Sequence, residues 1–226
     1  MAFITKGQTK LNFTLLPRTT RKALDYLSKQ VWMENSNWYL AGGTALALSA
    51  GTRKSVDLDF FTEAKEFSGE ELLSHFIDNK NWRTGIHKKN TIYGTFFNAQ
   101  ISFIVNPAFI PKQDPLRFGS IKILQPLDIA VMKIIAISQR GRKRDFFDVY
   151  WCAKNIEPLE NTIKRLRTQY PSVAHNYHHI LKSLVFFEDA ENDPIPDIHF
   201  EVTWKQVKNY FVKEIPLIAK NIIKLR

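Results

Sequence analysis

Two aspartates one residue apart, Asp57 and Asp59, interrupt the apolar run "SVDLDFF" at residues 55–61, and two adjacent glycines, Gly42 and Gly43, stand upstream in "YLAGGTALALSA". On a strand, alternate side chains share a face, so Asp57 and Asp59 project together while Val56, Leu58 and Phe60 project the other way. Neighbouring carboxylates repel each other, and burying them unpaired is costly. A divalent cation relieves both penalties. Mg²⁺ takes oxygen ligands, usually one or two carboxylates with water and substrate phosphates, so Asp-x-Asp on an active-site strand suits phosphoryl transfer. Taken alone, the pair reads more simply as two surface aspartates on a solvated edge strand. The glycines shift that balance: a Gly-Gly turn opening a helix leaves backbone N–H groups free for a phosphate, with no side chain in the way. Thr44 adds a hydroxyl. By themselves paired glycines more often mark a tight turn, but the two features together supply one element for a triphosphate and one for its metal.

A second constellation lies in "LDIAVMKIIAISQRGRKRDFFDVYWC". Lys133 and Arg140, seven residues apart, share one helix face, and Asp145 and Asp148 at i, i+3 share a face of the next helix. Lys133 is flanked by Val131, Met132, Ile134 and Ile135, a setting in which an ammonium needs an anionic partner, and a nucleotide phosphate would serve. The plainer alternatives are a lysine snorkelling to solvent and two aspartates complementing a helix dipole. His175, His178 and His179 lack the partners of a zinc motif and read as an exposed or RNA-facing cluster. Cys152 reads as a packed core residue.

These residues need a scaffold, and 226 residues can bury a substantial core. A hydrophobic content of 44% with 24% charged residues excludes a disordered or collagen-like chain. No apolar run reaches the roughly 18 residues of a membrane span. The N-terminus lacks a signal-peptide pattern and the single cysteine cannot form an internal disulfide, so the expected compartment is cytoplasmic. A net charge of +10 favours a polyanionic partner.

Hydrophobic periodicity predicts a helix over 20–33, a helix from the glycines to about residue 49, and a helix over 69–79 that Ser68 and Glu71 would open as a capping box. Three strands over 82–88, 91–97 and 99–105 read as an antiparallel meander, with a further short strand at 121–124. Beyond Pro126 the pattern is helical: 127–138, 144–155, 160–169, 173–184 and 204–224, the last holding Pro216, which should kink or split it. The reading is an α+β chain, with a core over residues 1–125 and a helical domain over 126–226 that completes a cleft.

The segment "LAGGTALAL...GTRKSVDLDFF" resembles the AbiEii toxin branch of the nucleotidyltransferases with a DNA polymerase β-like fold, through Leu40, Gly42 to Leu46, Gly51, Arg53, Ser55 and Asp57 to Phe61. The second block is similar to the same branch at Lys133, Arg140, Arg144, Asp145 and Asp148. One departure is Thr52, where the branch usually has His. The resemblance implies a mixed or antiparallel sheet with flanking helices followed by a helical bundle. It also implies a toxin of a toxin-antitoxin pair involved in abortive infection, related to the MenT toxins that add nucleotides to tRNA. NTP would be the substrate, Mg²⁺ or Mn²⁺ the cofactor, and a tRNA 3′ end the acceptor, with a cognate antitoxin as protein partner. Gly42, Gly43, Thr44, Arg53, Ser55 and Lys133 would bind the nucleotide and Asp57 and Asp59 the metal. Asp145, with Asp148 second, would act as or orient the base, and Arg140, Arg142, Lys143 and Arg144 would hold RNA.

Many enzymes of this fold carry a third carboxylate on a later strand. The candidate strand "NAQISFIV" offers Asn98, Gln100 and Ser102 on its polar face, so Ser102 is expected in place of the acid. Asp145 could then be the base, one metal could suffice, or the chain could be a catalytically silent nucleotide- or RNA-binding module. Transfer to a small molecule or a protein hydroxyl is a further alternative, because acceptor choice lies in loop shape.

Overall fold

The computed structural model describes residues 11–223. The N-terminal reading on residues 1–10 and the end of the last predicted helix at Lys224 lie outside the described residues. In chain order the elements are α1 (Arg18–Leu27), α2 (Val31–Glu34), β1 (Tyr39–Ala41), α3 (Gly42–Ala50), β2 (Leu58–Thr62), α4 (Gly69–Ser74), β3 (Trp82–Lys88), β4 (Thr91–Phe96), β5 (Ala99–Val105), β6 (Leu116–Phe118) and β7 (Ile121–Ile123). Helices follow: α5 (Pro126–Arg140), α6 (Lys143–Asn155), α7 (Leu159–Lys164), α8 (Leu166–Gln169), α9 (Tyr177–Ser183), α10 (Glu188–Glu191) and α11 (Trp204–Ile223).

The strands form one seven-stranded sheet in the order β3-β4-β5-β2-β1-β7-β6. The pairings β2–β5 and β1–β7 are parallel and the remainder antiparallel, so the sheet is mixed. Leu40, Phe60, Phe103, Ile92 and Ile123 are linked by register across five strands and are all fully buried. Phe60 stacks on Phe103 at 5.2 Å, and Trp38 and Phe76 approach Phe103 edge-on and tilted, which gives this face an aromatic floor. The opposite face carries Asp59 and Phe61 of β2 beside Ser102 and Ile104 of β5. Alternation thus separates a packed face from a face that holds chemistry.

Several predicted elements are subdivided. The helix over 20–33 breaks after Leu27 and restarts at Val31, with Gln30 extended. The Ser68 cap is present, its side chain accepting from the Glu71 N–H, but α4 ends at Ser74 and the next residues form turns in which His75 stacks on Trp32 at 4.4 Å. Asn176 caps α9, which therefore begins at Tyr177 rather than near 173. The last helix is not split: Pro216 lies inside α11. The carbonyl that a proline leaves unpaired belongs to the residue four positions earlier, here the exposed Val212, where water can satisfy it. Val207, Phe211, Ile215, Ile218 and Ile222 form the buried stripe of that helix.

Candidate active site

Asp57 lies just before β2 rather than in it and Asp59 lies in it, yet both border the same cavity. Gly42, the first residue of α3 directly after β1, lies in the left-handed region at φ +66°, which an L side chain rarely adopts, and a Cβ there would stand 3.0 Å from Asp59 Oδ2. Backbone approach to the carboxylate is therefore the reason for the first glycine. The second has another reason: a Cβ on Gly43 would collide with the Arg53 guanidinium and lie 2.9 Å from Ser55 Oγ. Thr44 is buried, lies 3.0 Å from Ser55 Oγ and donates to the Asp57 carbonyl. It ties α3 to the chain entering β2 and does not line the cavity.

The carboxylates open into a cavity of ~470 Å³ between β2, β5 and α5. Its polar end holds Gly42, Gly43, Ser55, Asp57 and Asp59, with Arg53, Lys133, Arg140 and Arg144 around them. Burial and the neighbouring Asp59 push Asp57 above the usual carboxylate range, although Arg144 and Arg53 pull it down. Arg144 Nη1 lies 3.9 Å from Asp57 Oδ2. Ser102 is in register with Asp59 and donates to Asp59 Oδ1 at 2.7 Å. The serine thus stands on the neighbouring strand where a third acid was sought.

No group of three or more His, Cys, Asp or Glu able to hold a metal exists among the described residues. Two carboxylates on one wall, one with its proton affinity raised by burial and by the other, still fit a cation that completes its shell with substrate phosphates and water.

Behind the cavity wall is a buried ionic cluster. Arg53 donates from Nε to Asp148 Oδ1 at 2.8 Å and from Nη2 to Asp148 Oδ2 at 3.0 Å, a bidentate pair. Lys133 lies 3.0 Å from Asp148 Oδ2 and donates to Asp145 Oδ1. Burial opposes the charge on Asp148, but Arg53 and Lys133 outweigh it and hold that carboxyl below its ordinary range. Asp145 Oδ2 is buried, makes no hydrogen bond and faces Arg140 Nε at 3.7 Å.

These placements alter two expectations. Lys133 reaches the cavity, but its anionic partners are Asp145 and Asp148 rather than a phosphate alone. Asp145 and Asp148 do not line the cavity, so neither is positioned to take a proton from a substrate there; the two cations screen them. Of the basic run, Arg140 and Arg144 are about half exposed at the cavity rim, and Arg142 pairs with Asp193 at 2.9 Å. Lys143 is buried, with Nζ donating to the Glu191 and Asp193 carbonyls, because the acidic segment folds back over the start of α6. Its ammonium does not reach the surface.

A second groove of ~540 Å³ shares Arg53, Ser55, Asp57 and Arg144 with the first and continues past Pro194 and Pro196. His175 bonds the Leu166 and Tyr170 carbonyls and His179 the Ser138 carbonyl, so two of the three histidines serve local structure. Cys152 is buried and its thiol pushed up by burial and by Asp148, in keeping with a core residue.

Sequence reasoning missed the far end of the cavity, built by Phe61, Ile104, Asn106, Met132 and Tyr170. Strand parity held part of the signal, since residues 102, 104 and 106 follow one face. Tyr170, from a turn after α8, left none.

The sequence matches the family described as nucleotidyl transferase AbiEii toxin, Type IV TA system, over residues 33–221. It is 33% identical over 198 residues to an uncharacterised protein of Aquifex aeolicus (strain VF5), covering 82% of this chain and 90% of that one. Among solved structures, a protein from H. pylori described as a candidate nucleotidyltransferase superposes with a TM-score of 0.52 at 17% identity, over 92% of this chain and 96% of the other. MenT4, a nucleotidyltransferase toxin from Mycobacterium tuberculosis H37Rv, superposes with a TM-score of 0.52 at 16% identity, over 90% and 86%. The mixed sheet with flanking helices is thus the nucleotidyltransferase fold. No helix among the described residues is long and apolar enough to cross a membrane.

Proposed function

This chain belongs to the AbiEii nucleotidyltransferase toxin family, and from that premise we propose that it transfers a nucleoside monophosphate from NTP to an RNA acceptor, a tRNA 3′ end, in a reaction that needs Mg²⁺ or Mn²⁺. A cognate antitoxin would restrain it. The observation that carries this reading is the shared wall of the cavity, where the Gly42–Gly43 turn at the start of α3 stands against Asp59, with Asp57 beside it.

The glycine turn would offer backbone N–H groups to phosphate oxygens at a helix N-terminus. Asp57 and Asp59 would hold the divalent cation, which when bound supplies Lewis-acid neutralisation of phosphate charge. Arg140 and Arg144 are the cations at the rim with room to meet phosphate, and they would stabilise charge building in the transition state. Lys133 and Arg53, fixed by Asp145 and Asp148, would present positive potential at a set position, so those two acids act as positioning residues. The domain division at about residue 125 is part of the same proposal, with α5 supplying the helical wall of the cleft.

Incubation with Mg²⁺, labelled NTPs and total tRNA tests this. Transfer is expected with wild type and should fall at least about 100-fold in Asp57→Asn, which loses a ligand at the point of charge development. Absence of transfer from all four NTPs while nucleotide still binds would favour the second reading, a silent nucleotide- or RNA-binding module. The observation on that side is Ser102, which occupies the register position beside Asp59 where a third acid would assist the attacking hydroxyl.

A further inference from the structure

The cavity changes character along its length. On the sheet side, Asp59 and Ser102 are followed two residues later by Phe61 and Ile104, ~7 Å along the strands, and then by Asn106 at ~13 Å from Ser102. On the helix side, α5 carries Arg140 near its end, 3.7 Å from Asp145, and Ile129 near its start, next to the Asp128 that Gln169 bonds. The far ends of the two walls are joined. Phe109 donates its N–H to the Asn106 carbonyl and packs on Tyr170 at 5.2 Å; Gln169, the residue before Tyr170, bonds the Asp128 carboxylate next to Ile129.

The result is a slot with charge at one end and Phe61, Ile104, Met132, Ile129 and Val173 at the other. Beside these residues, Asn106 brings a side-chain amide. Tyr170 also lines the cavity, and burial pushes its phenol up to about 12, with Asn106 pulling the other way. The Asn106 main chain is fixed independently, its N–H donating to the Thr62 carbonyl at 2.8 Å. An amide whose main chain is held in this way, in the same cavity as the Gly42–Gly43 turn, is placed to read a polar edge.

We propose that the apolar end is the nucleobase subsite, that Phe61 and Met132 cover the faces of the base, and that Asn106, its main chain held by Thr62, selects which base is accepted. This rests on the nucleotidyltransferase reading and adds the determinant of nucleotide choice. A site built to hydrogen-bond one base edge rejects a base that leaves the amide unpaired.

Affinity for each of the four NTPs and for inorganic tripolyphosphate, all with Mg²⁺, tests the proposal in wild type, Asn106→Ala and Phe61→Leu. Wild type should prefer one NTP by about tenfold or more, consistent with one buried hydrogen bond gained or lost. Asn106→Ala should bring the four NTPs to similar affinity and leave tripolyphosphate unchanged. Phe61→Leu should weaken all four NTPs together, again sparing tripolyphosphate; it keeps the test decisive if the asparagine variant folds poorly. The inference is overturned if Asn106→Ala retains the wild-type order and ratios, or if NTPs bind no tighter than tripolyphosphate. Failure of tripolyphosphate and all NTPs to bind would instead overturn the nucleotide site itself, and with it this subsite.

Discussion

Two groups of charge serve the same cavity and are built in opposite ways. Arg53, Lys133, Asp145 and Asp148 form two cations and two anions, buried and mutually bonded. Asp57 and Asp59 stand side by side with an arginine 3.9 Å away, and Asp57 is held above its ordinary pKa. The first group balances its charges within the chain, although Asp145 Oδ2 makes no hydrogen bond. In the second, two carboxylates crowd together and Arg144 and Arg53 only partly offset them, a crowding that a cation would relieve. Charge around this cavity therefore has two meanings, separated by how far the partners are already in the chain.

The largest effect that would test this contrast is on Asp148. Asp148→Ala removes both bonds to Arg53 and one anion from Lys133, and breaking such a buried pair typically costs ~3–5 kcal/mol. Chemical denaturation should show that loss with little change in the slope. If the variant loses under ~1 kcal/mol, the cluster is not the self-sufficient unit described. Asp148→Ala combined with Arg53→Met should lose less than the sum of the single changes, because the stranded guanidinium is then gone.

Next in size is the contact that packs the glycine turn on this cluster. Gly43→Ala puts a methyl group into the Arg53 guanidinium, which cannot swing away without leaving Asp148. Overpacking of this kind costs ~1–3 kcal/mol. The comparison sharpens if Gly43→Ala also weakens NTP binding, because the turn and the cluster are then one unit. Unchanged stability in this variant would show that Arg53 can move, contrary to its bidentate seat.

How far the two groups could be read in the sequence follows the same division. Asp57, Asp59, Gly42, Gly43 and Ser102 are related by local spacing and strand parity, and the structure brings them to one wall with Ser102 in register with Asp59. The β3–β4–β5 meander and the long helices were legible because their periodicity spans many residues. The Arg53–Asp148 pair joins residues 95 apart, and no local pattern encodes which cation meets which carboxylate. The burial of Lys143 was hidden likewise, since it depends on residues 191–193 folding back, where composition suggested only an acidic loop. Short strands such as β6, three residues long, carry too little alternation to be found alone.

The smallest expected effect separates the two groups most cleanly, because it has opposite signs in them. Asp148 titrates below its ordinary value in the fold, so its contribution to stability is complete above the unfolded carboxylate pKa of ~3.9 and is lost only as pH falls below that, through the lower folded value. Asp57 titrates above its ordinary value, so its charge disfavours the fold at neutral pH, and that penalty fades as pH falls through the raised value toward ~3.9. Asp57→Asn should accordingly be more stable than wild type at neutral pH, by less than ~1 kcal/mol because the group is partly solvated. The advantage should shrink as pH falls through the raised value and vanish only below the unfolded value of ~3.9. Denaturation of both proteins across mildly acidic pH, without divalent cation, measures it directly. An Asp57→Asn variant that is less stable at neutral pH, or whose difference from wild type does not vary with pH, would mean that Asp57 already has its partner within the chain and that the contrast between the two groups is false.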